Sequence, residues 1–128
     1  MTRKILVIDD DADFAEATST LLRAKGFSVV TAAGGEEGYS KARLENPQAI
    51  LLDVMMSHHS EGIDIARRLA EDPATKLIPV IMITGIRKSL GLPAGVEPDT
   101  SWLPVRIVLE KPVRPEELLK AVRDALGT

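Results

Sequence analysis

The sequence predicts an α/β protein built on a doubly wound parallel sheet. Three observations carry that expectation. Short continuous apolar runs recur along the chain as Ile5-Leu6-Val7-Ile8, Ala49-Ile50-Leu51-Leu52 and Val80-Ile81-Met82-Ile83, and such runs suit strands buried on both faces. Segments with apolar residues at helical spacing lie between them, so strand and helix alternate as in βαβ units. The runs also stop at polar residues: the first at Asp9-Asp10-Asp11, the second at Asp53, the third at Thr84. Right-handed crossovers leave only a few doubly wound topologies open.

The elements follow in order. Ile5 to Ile8 is the first strand. From Ala12 to Lys25 the apolar residues Phe14, Leu21 and Leu22 fit one helical face, and Gly26 is a natural stop. Phe27 to Ala32 mixes apolar and polar residues, as an edge strand does. Gly34-Gly35 precedes a helix over 36–45, closed by Asn46-Pro47. After the Asp53 strand, the polar loop Ser57-His58-His59-Ser60-Glu61-Gly62 leads to a helix with Ile63, Ala66, Leu69 and Ala70 at helical spacing. The stretch from Gly85 to Pro104 contains Gly91, Pro93, Gly95, Pro98 and Pro104, which leaves room for a short helical turn near Arg87–Leu90 and little more. A strand from Val105 to Leu109 then runs into Glu110-Lys111-Pro112. Pro115, Glu116 and Glu117 start the last helix, whose core face is Leu118, Leu119, Val122 and Leu126.

A chain of 128 residues is expected to form a single domain over 1–128, with no effector domain. Its 45% hydrophobic and 27% charged residues are ordinary for a globular protein. The net charge of -3 argues against a nucleic-acid or anionic-membrane surface. With no cysteine, disulfides, thiolate metal sites and cysteine nucleophiles are excluded. No run has signal-peptide or transmembrane length, so the expectation is a cytoplasmic protein.

Chemistry concentrates at the strand ends. Asp9 and Asp10 follow the first strand, Asp53 ends the third, Thr84 the fourth, and Lys111 follows the fifth. In a doubly wound sheet those ends converge on the crevice where strand order reverses. Clustered carboxylates repel one another, and an all-oxygen cluster invites a hard divalent cation, for which Mg²⁺ is suited. A lysine opposite supplies a point charge for phosphate and a threonine hydroxyl a hydrogen bond. Asp53 could then act as a nucleophile and form an aspartyl phosphate. Each residue also has a plain structural role: Asp11 as a helix cap, Thr84 as a strand end, Lys111 as a solvated charge.

On Ile5-Leu6-Val7-Ile8-Asp9-Asp10, Leu51-Leu52-Asp53-Val54-Met55-Met56, Ile83-Thr84-Gly85 and Lys111-Pro112, the chain resembles a response-regulator receiver domain of two-component signalling over essentially its whole length. The resemblance implies the flavodoxin-like strand order 2-1-3-4-5 with helices on both faces. It implies that Asp53 receives phosphate from a phosphohistidine on a sensor histidine kinase or phosphotransfer protein. It further implies that Asp9, Asp10, Asp53 and the backbone carbonyl of Met55 hold Mg²⁺, while Thr84 and Lys111 contact the phosphoryl group. The protein would then be a stand-alone signalling or phosphorelay module, with at most self-phosphorylation and self-dephosphorylation activity. Its partners would be the kinase and a downstream protein, or a second copy in a phosphorylation-dependent homodimer.

Four positions depart from the family pattern. Ser57 stands where a proline is usual, and the loop to Glu61-Gly62 is one residue longer. Val108 replaces the switch aromatic of the fifth strand. The Thr84–Lys111 interval is long and broken by glycine and proline, so the fourth helix is expected to be short or irregular. The Gly85–Pro104 segment, anchored by Trp102, then becomes the expected switch.

The weaker signals have plainer readings. His58 and His59 lack partners at metal-ligand spacing and read as solvated loop residues, and Gly34-Gly35 is no phosphate loop because no Gly-Lys-Ser/Thr follows. The functional alternative is a small haloacid-dehalogenase-type phosphatase with Asp9 as nucleophile, Asp11 as acid/base, and Thr84 and Lys111 on the phosphate. It leaves Asp53 without a task, and Asp13 stands where threonine or valine is expected.

Overall fold

The computed structural model describes residues 3–53, 61–84, 107–111 and 113–127, with the backbone alone at Glu61, Ile63 and Thr84. The expectations for the Met55 carbonyl, His58, His59, the loop from Ser57, the Gly85–Pro104 segment and Trp102 lie outside the described residues. Within them, the described chain forms five strands and four helices: β1 (Lys4–Ile8), α1 (Ala12–Ala24), β2 (Ser28–Ala32), α2 (Gly35–Glu45), β3 (Ala49–Asp53), α3 (Glu61–Glu71), β4 (Val80–Thr84), β5 (Ile107–Glu110) and α4 (Pro115–Leu126). The strands pair in parallel in the order β2-β1-β3-β4-β5. That is the expected flavodoxin-like arrangement, and β2 lies at an edge.

Period-2 alternation sorts the apolar residues of the strands into two cores. Leu6, Ile8, Ile50, Leu52, Val80 and Met82 pack beneath α2 and α3 with Ala42, Ile65, Ala66 and Leu69. Ile5, Val7, Leu51, Ile81 and Ile83 pack beneath α1 and α4 with Leu22, Leu118, Ala121 and Val122. Each fully buried Leu or Ile contributes about 1.5–3 kcal/mol by leaving water, and Ile5, Leu6, Ile8, Ile50, Leu51 and Leu52 are all at most 1% exposed. This double burial is why β1, β3 and β4 read as unbroken apolar runs.

The helix faces differ from expectation in detail. On α1, Ala15, Thr18, Ser19 and Leu22 are buried, whereas Phe14 and Leu21 are only partly so. The small residues bring α1 close to the sheet, and the Ser19 hydroxyl is satisfied by donating to the Ala15 carbonyl at 2.7 Å. On α3 the inward stripe is Gly62, Ile65, Ala66 and Leu69, and Ala70 is exposed. That stripe keeps the i, i+3, i+4, i+7 spacing from Gly62, which turns Ala70 outward. On α4, Ala121 is buried between Leu118 and Val122, and Leu119 and Leu126 sit at the margin. β5 takes in Glu110, one residue beyond the expected end.

Two backbone details hold the framework. Gly26, at φ +95°, turns the chain out of α1, with its N–H donating to the Arg23 carbonyl at 3.0 Å. Gly38 lets α2 lie directly on β1: a Cβ there would stand 2.5 Å from Ile8 Cδ1 and 2.7 Å from Cγ1. Ile8 immediately precedes Asp9, so this contact also fixes where the strand end lies.

Candidate functional site

Strand order reverses between β1 and β3, whose partners Ile8 and Leu52 lie side by side. The next residues in each strand direction are Asp9 and Asp53, which places two carboxylates at the mouth of that crevice. Alternation explains why they meet. Asp9 continues the Ile5, Val7 series, Asp53 continues Ala49, Leu51, and Lys111 continues Ile107, Leu109, all on the side of the sheet that carries α1 and α4. Asp53 aligns with Ile83 across β3 and β4, and Thr84 with Glu110 across β4 and β5.

Asp9 is 3% exposed and Asp53 2% exposed, whereas Asp10 lies at the surface. Asp9, Asp10 and Asp53 each offer a carboxylate oxygen, and these oxygens all lie within 4.8 Å of one another. Lys111 Nζ stands 3.4 Å from Asp9 Oδ2 and 3.6 Å from Asp53 Oδ2. The same ammonium lies 4.3 Å from the centroid of the Phe14 ring. Asp9 Oδ1 accepts the Asp11 N–H at 2.8 Å. Burial pushes the Asp9 carboxyl up to about 6; the Asp11 N–H and the Lys111 charge oppose the rise, while the adjoining Asp53 carboxyl adds to it. Among the described residues, three acids therefore share this mouth with one ammonium.

That donor set fits a hard divalent cation. It is all oxygen, it carries more negative charge than Lys111 offsets, and one of its acids faces water, where a hydrated ion enters. Two buried carboxylates in contact are costly when both are ionised, and a cation between them removes that cost.

The three aspartates after β1 divide their work. Asp11 is the N-cap of α1 and accepts the N–H groups of Asp13 at 3.1 Å and Phe14 at 3.2 Å. It takes no place in the acid cluster. The phosphatase alternative needed Asp11 as acid/base, and the helix cap engages that carboxylate instead. Val108 aligns with Met82 and packs, partly buried, against the core beneath α2 and α3, so an aliphatic side chain fills the strand position of the family pattern's switch aromatic.

Two features escaped sequence reasoning. Phe14 reads as a core residue by periodicity, and its contact with Lys111 spans 97 positions of chain. The only hint is that Phe14 stands three residues after the cap Asp11, at the first turn facing the strand ends. The second is a polar cluster joining α2 to the end of α3. The Tyr39 hydroxyl donates to Asp72 Oδ2, Arg43 Nε lies 3.2 Å from the same oxygen, and Arg68 stacks on the Tyr39 ring at 4.2 Å while pairing with Glu36 at 2.5 Å. No local pattern announces these pairs, which are 29 to 33 residues apart.

Residues 5–123 match the family described as the response regulator receiver domain. The chain is 32% identical over 126 residues to the DNA-binding response regulator MtrA of Mycobacterium tuberculosis, covering 98% of this chain and 51% of that protein. It is 32% identical over 130 residues to the alkaline phosphatase synthesis transcriptional regulatory protein PhoP of Bacillus subtilis, covering 98% and 49%. The chain thus spans about half the length of the curated relatives it matches. Among solved structures, a putative response regulator from Chloroflexus aurantiacus is 30% identical, with a TM-score of 0.83 and full coverage of both chains. The chemotaxis response regulator CheY4 of Vibrio cholerae is 27% identical, with a TM-score of 0.83 and coverage of 98% and 100%.

Proposed function

The chain belongs to the response-regulator receiver domain family, and from that premise we propose that Asp53 is its phosphoacceptor, loaded from a phosphohistidine of a sensor kinase or phosphotransfer protein. Receiver domains are signalling phosphoacceptors rather than enzymes, they interact with histidine kinases, and they bind Mg²⁺ at an acidic pocket. The observation that carries the assignment to Asp53 is the placement of Lys111 Nζ between the buried carboxylates of Asp9 and Asp53.

Transfer forms a bond between phosphorus and an Asp53 oxygen as the P–N bond breaks, its electron pair returning to the imidazole. Asp9, Asp10 and Asp53 would hold Mg²⁺, with the Met55 carbonyl as a further oxygen ligand from the family resemblance. When bound, the ion supplies charge neutralisation for the carboxylates and the incoming phosphoryl oxygens. Lys111 Nζ, 3.6 Å from Asp53 Oδ2, meets the phosphoryl group there. The Thr84 hydroxyl is its second proposed contact. The paired strands β1 and β3 bring Asp9 and Asp53 together before the phosphoryl group arrives.

Incubation with acetyl phosphate and Mg²⁺ tests the assignment. Intact-mass analysis should show one added phosphate on the wild type and none on Asp53→Asn. Equal modification of both proteins would refute Asp53, and a labile acyl phosphate mapped to Asp9 would restore the phosphatase alternative.

A further inference from the structure

The phosphoacceptor reading leaves Phe14 without a task. Its ring is only half-buried, and it borders an apolar groove of about 230 Å³ with Ala17, Leu21, Val113, Pro115 and Leu118. Its face lies against the Lys111 ammonium at 4.3 Å from the centroid, inside the range of about 6 Å over which an aromatic quadrupole attracts a cation.

The surrounding contacts close a circuit. Asp9 Oδ1 accepts the Asp11 N–H, and Asp11 Oδ1 accepts the Phe14 N–H. The Phe14 ring meets Lys111, and Lys111 Nζ returns to Asp9 Oδ2. The cap of α1 therefore holds the Phe14 backbone in place, and its ring meets a long flexible side chain, Lys111. A lysine ammonium is a point charge on a four-carbon stem, with no fork geometry to orient it. Attraction to Asp9 and Asp53 weakens as the charge on those acids is neutralised. Attraction to the ring does not.

We propose that Phe14 is the positioning residue for Lys111: its ring holds the ammonium at the Asp53 oxygen where the phosphoryl group arrives. This rests on Asp53 being the phosphoacceptor. Phe14→Leu keeps an apolar side chain and removes the ring, while Phe14→Tyr keeps the ring. The initial rate of acetyl phosphate uptake at saturating Mg²⁺ should fall about fivefold in Phe14→Leu and stay within about twofold of wild type in Phe14→Tyr. Thermal unfolding of both variants separates this from loss of fold. A second readout needs no phosphorylation: in the wild type, the ε-methylene protons of Lys111 should show an upfield ring-current shift by NMR, kept in Phe14→Tyr.

Equal rates in all three proteins overturn the proposal and leave the phosphoacceptor reading intact. So does an equal loss in Leu and Tyr variants, which marks a packing role, or an unshifted Lys111 methylene. A wild type that takes up no phosphate overturns the reading itself, and the proposal with it.

Discussion

Two polar clusters join distant parts of this chain, and they treat the same residue type in opposite ways. At the strand ends, Asp9 is buried beside Asp53 with Lys111 shared between them, and its carboxyl is pushed up to about 6. Across α2 and the end of α3, Asp72 accepts a hydrogen bond from the Tyr39 hydroxyl and the Ala74 N–H and faces Arg43, and its carboxyl is held below the usual range. Both aspartates have donors and a cation. The difference is charge balance and burial. Asp72 has a guanidinium to itself beside Tyr39, while Asp9 shares one ammonium with a second buried acid. A balanced cluster braces two helices. An acid-rich buried cluster holds unspent attraction for a further cation.

The sharpest test of that contrast is Asp9→Asn in metal-free buffer. The folded Asp9 carboxyl holds its proton up to about 6, against 3.8 ordinarily. The stability that this contributes is therefore full below about pH 4 and lost as pH rises through 6. Relative to wild type, Asp9→Asn should gain about 2–3 kcal/mol between pH 4 and pH 7.5. Urea unfolding in EDTA at several pH values measures this. A difference that stays flat with pH would mean that burial and the adjoining Asp53 do not raise the Asp9 carboxyl, and Mg²⁺ should narrow the difference at pH 7.5.

Gly38→Ala probes the frame under the same cluster. The added Cβ meets the branched stem of Ile8 as well as its tip, so relief requires α2 or β1 to shift, at a cost of about 1–3 kcal/mol. A variant as stable as wild type in chemical denaturation would show that Ile8 repacks freely.

Asp10→Ala removes the exposed member of the acid cluster. Mg²⁺ affinity by calorimetry should fall at least about tenfold, since even supporting partners of a metal site cost that much. The metal-free fold should melt unchanged, because Asp10 lies at the surface. Unchanged Mg²⁺ affinity would place the ion elsewhere.

The smallest effect belongs to the balanced cluster. Tyr39→Phe deletes the donor to Asp72 and should cost about 1 kcal/mol or less, with phosphate uptake unaffected. A loss of uptake in that variant would connect the two clusters and erase the contrast drawn between them.

The sequence by itself determined the fold class and the identity of the acids. Unbroken apolar runs ending in Asp9 and Asp53 follow from strands buried on both faces, and period-2 alternation then turns Asp9, Asp53 and Lys111 to one side. Local cap chemistry likewise made Asp11 legible as the start of α1. Helix faces were less legible, as Ile65 and Ala121 show, because small and branched residues at neighbouring positions satisfy more than one helical stripe. What only the tertiary structure decided are contacts between elements far apart in sequence. Lys111 over Phe14, and Tyr39 on Asp72, depend on how closely each helix approaches the sheet and its neighbour. That distance is set by residues such as Gly38 and Ala15, whose small size matters only once another element is packed against them.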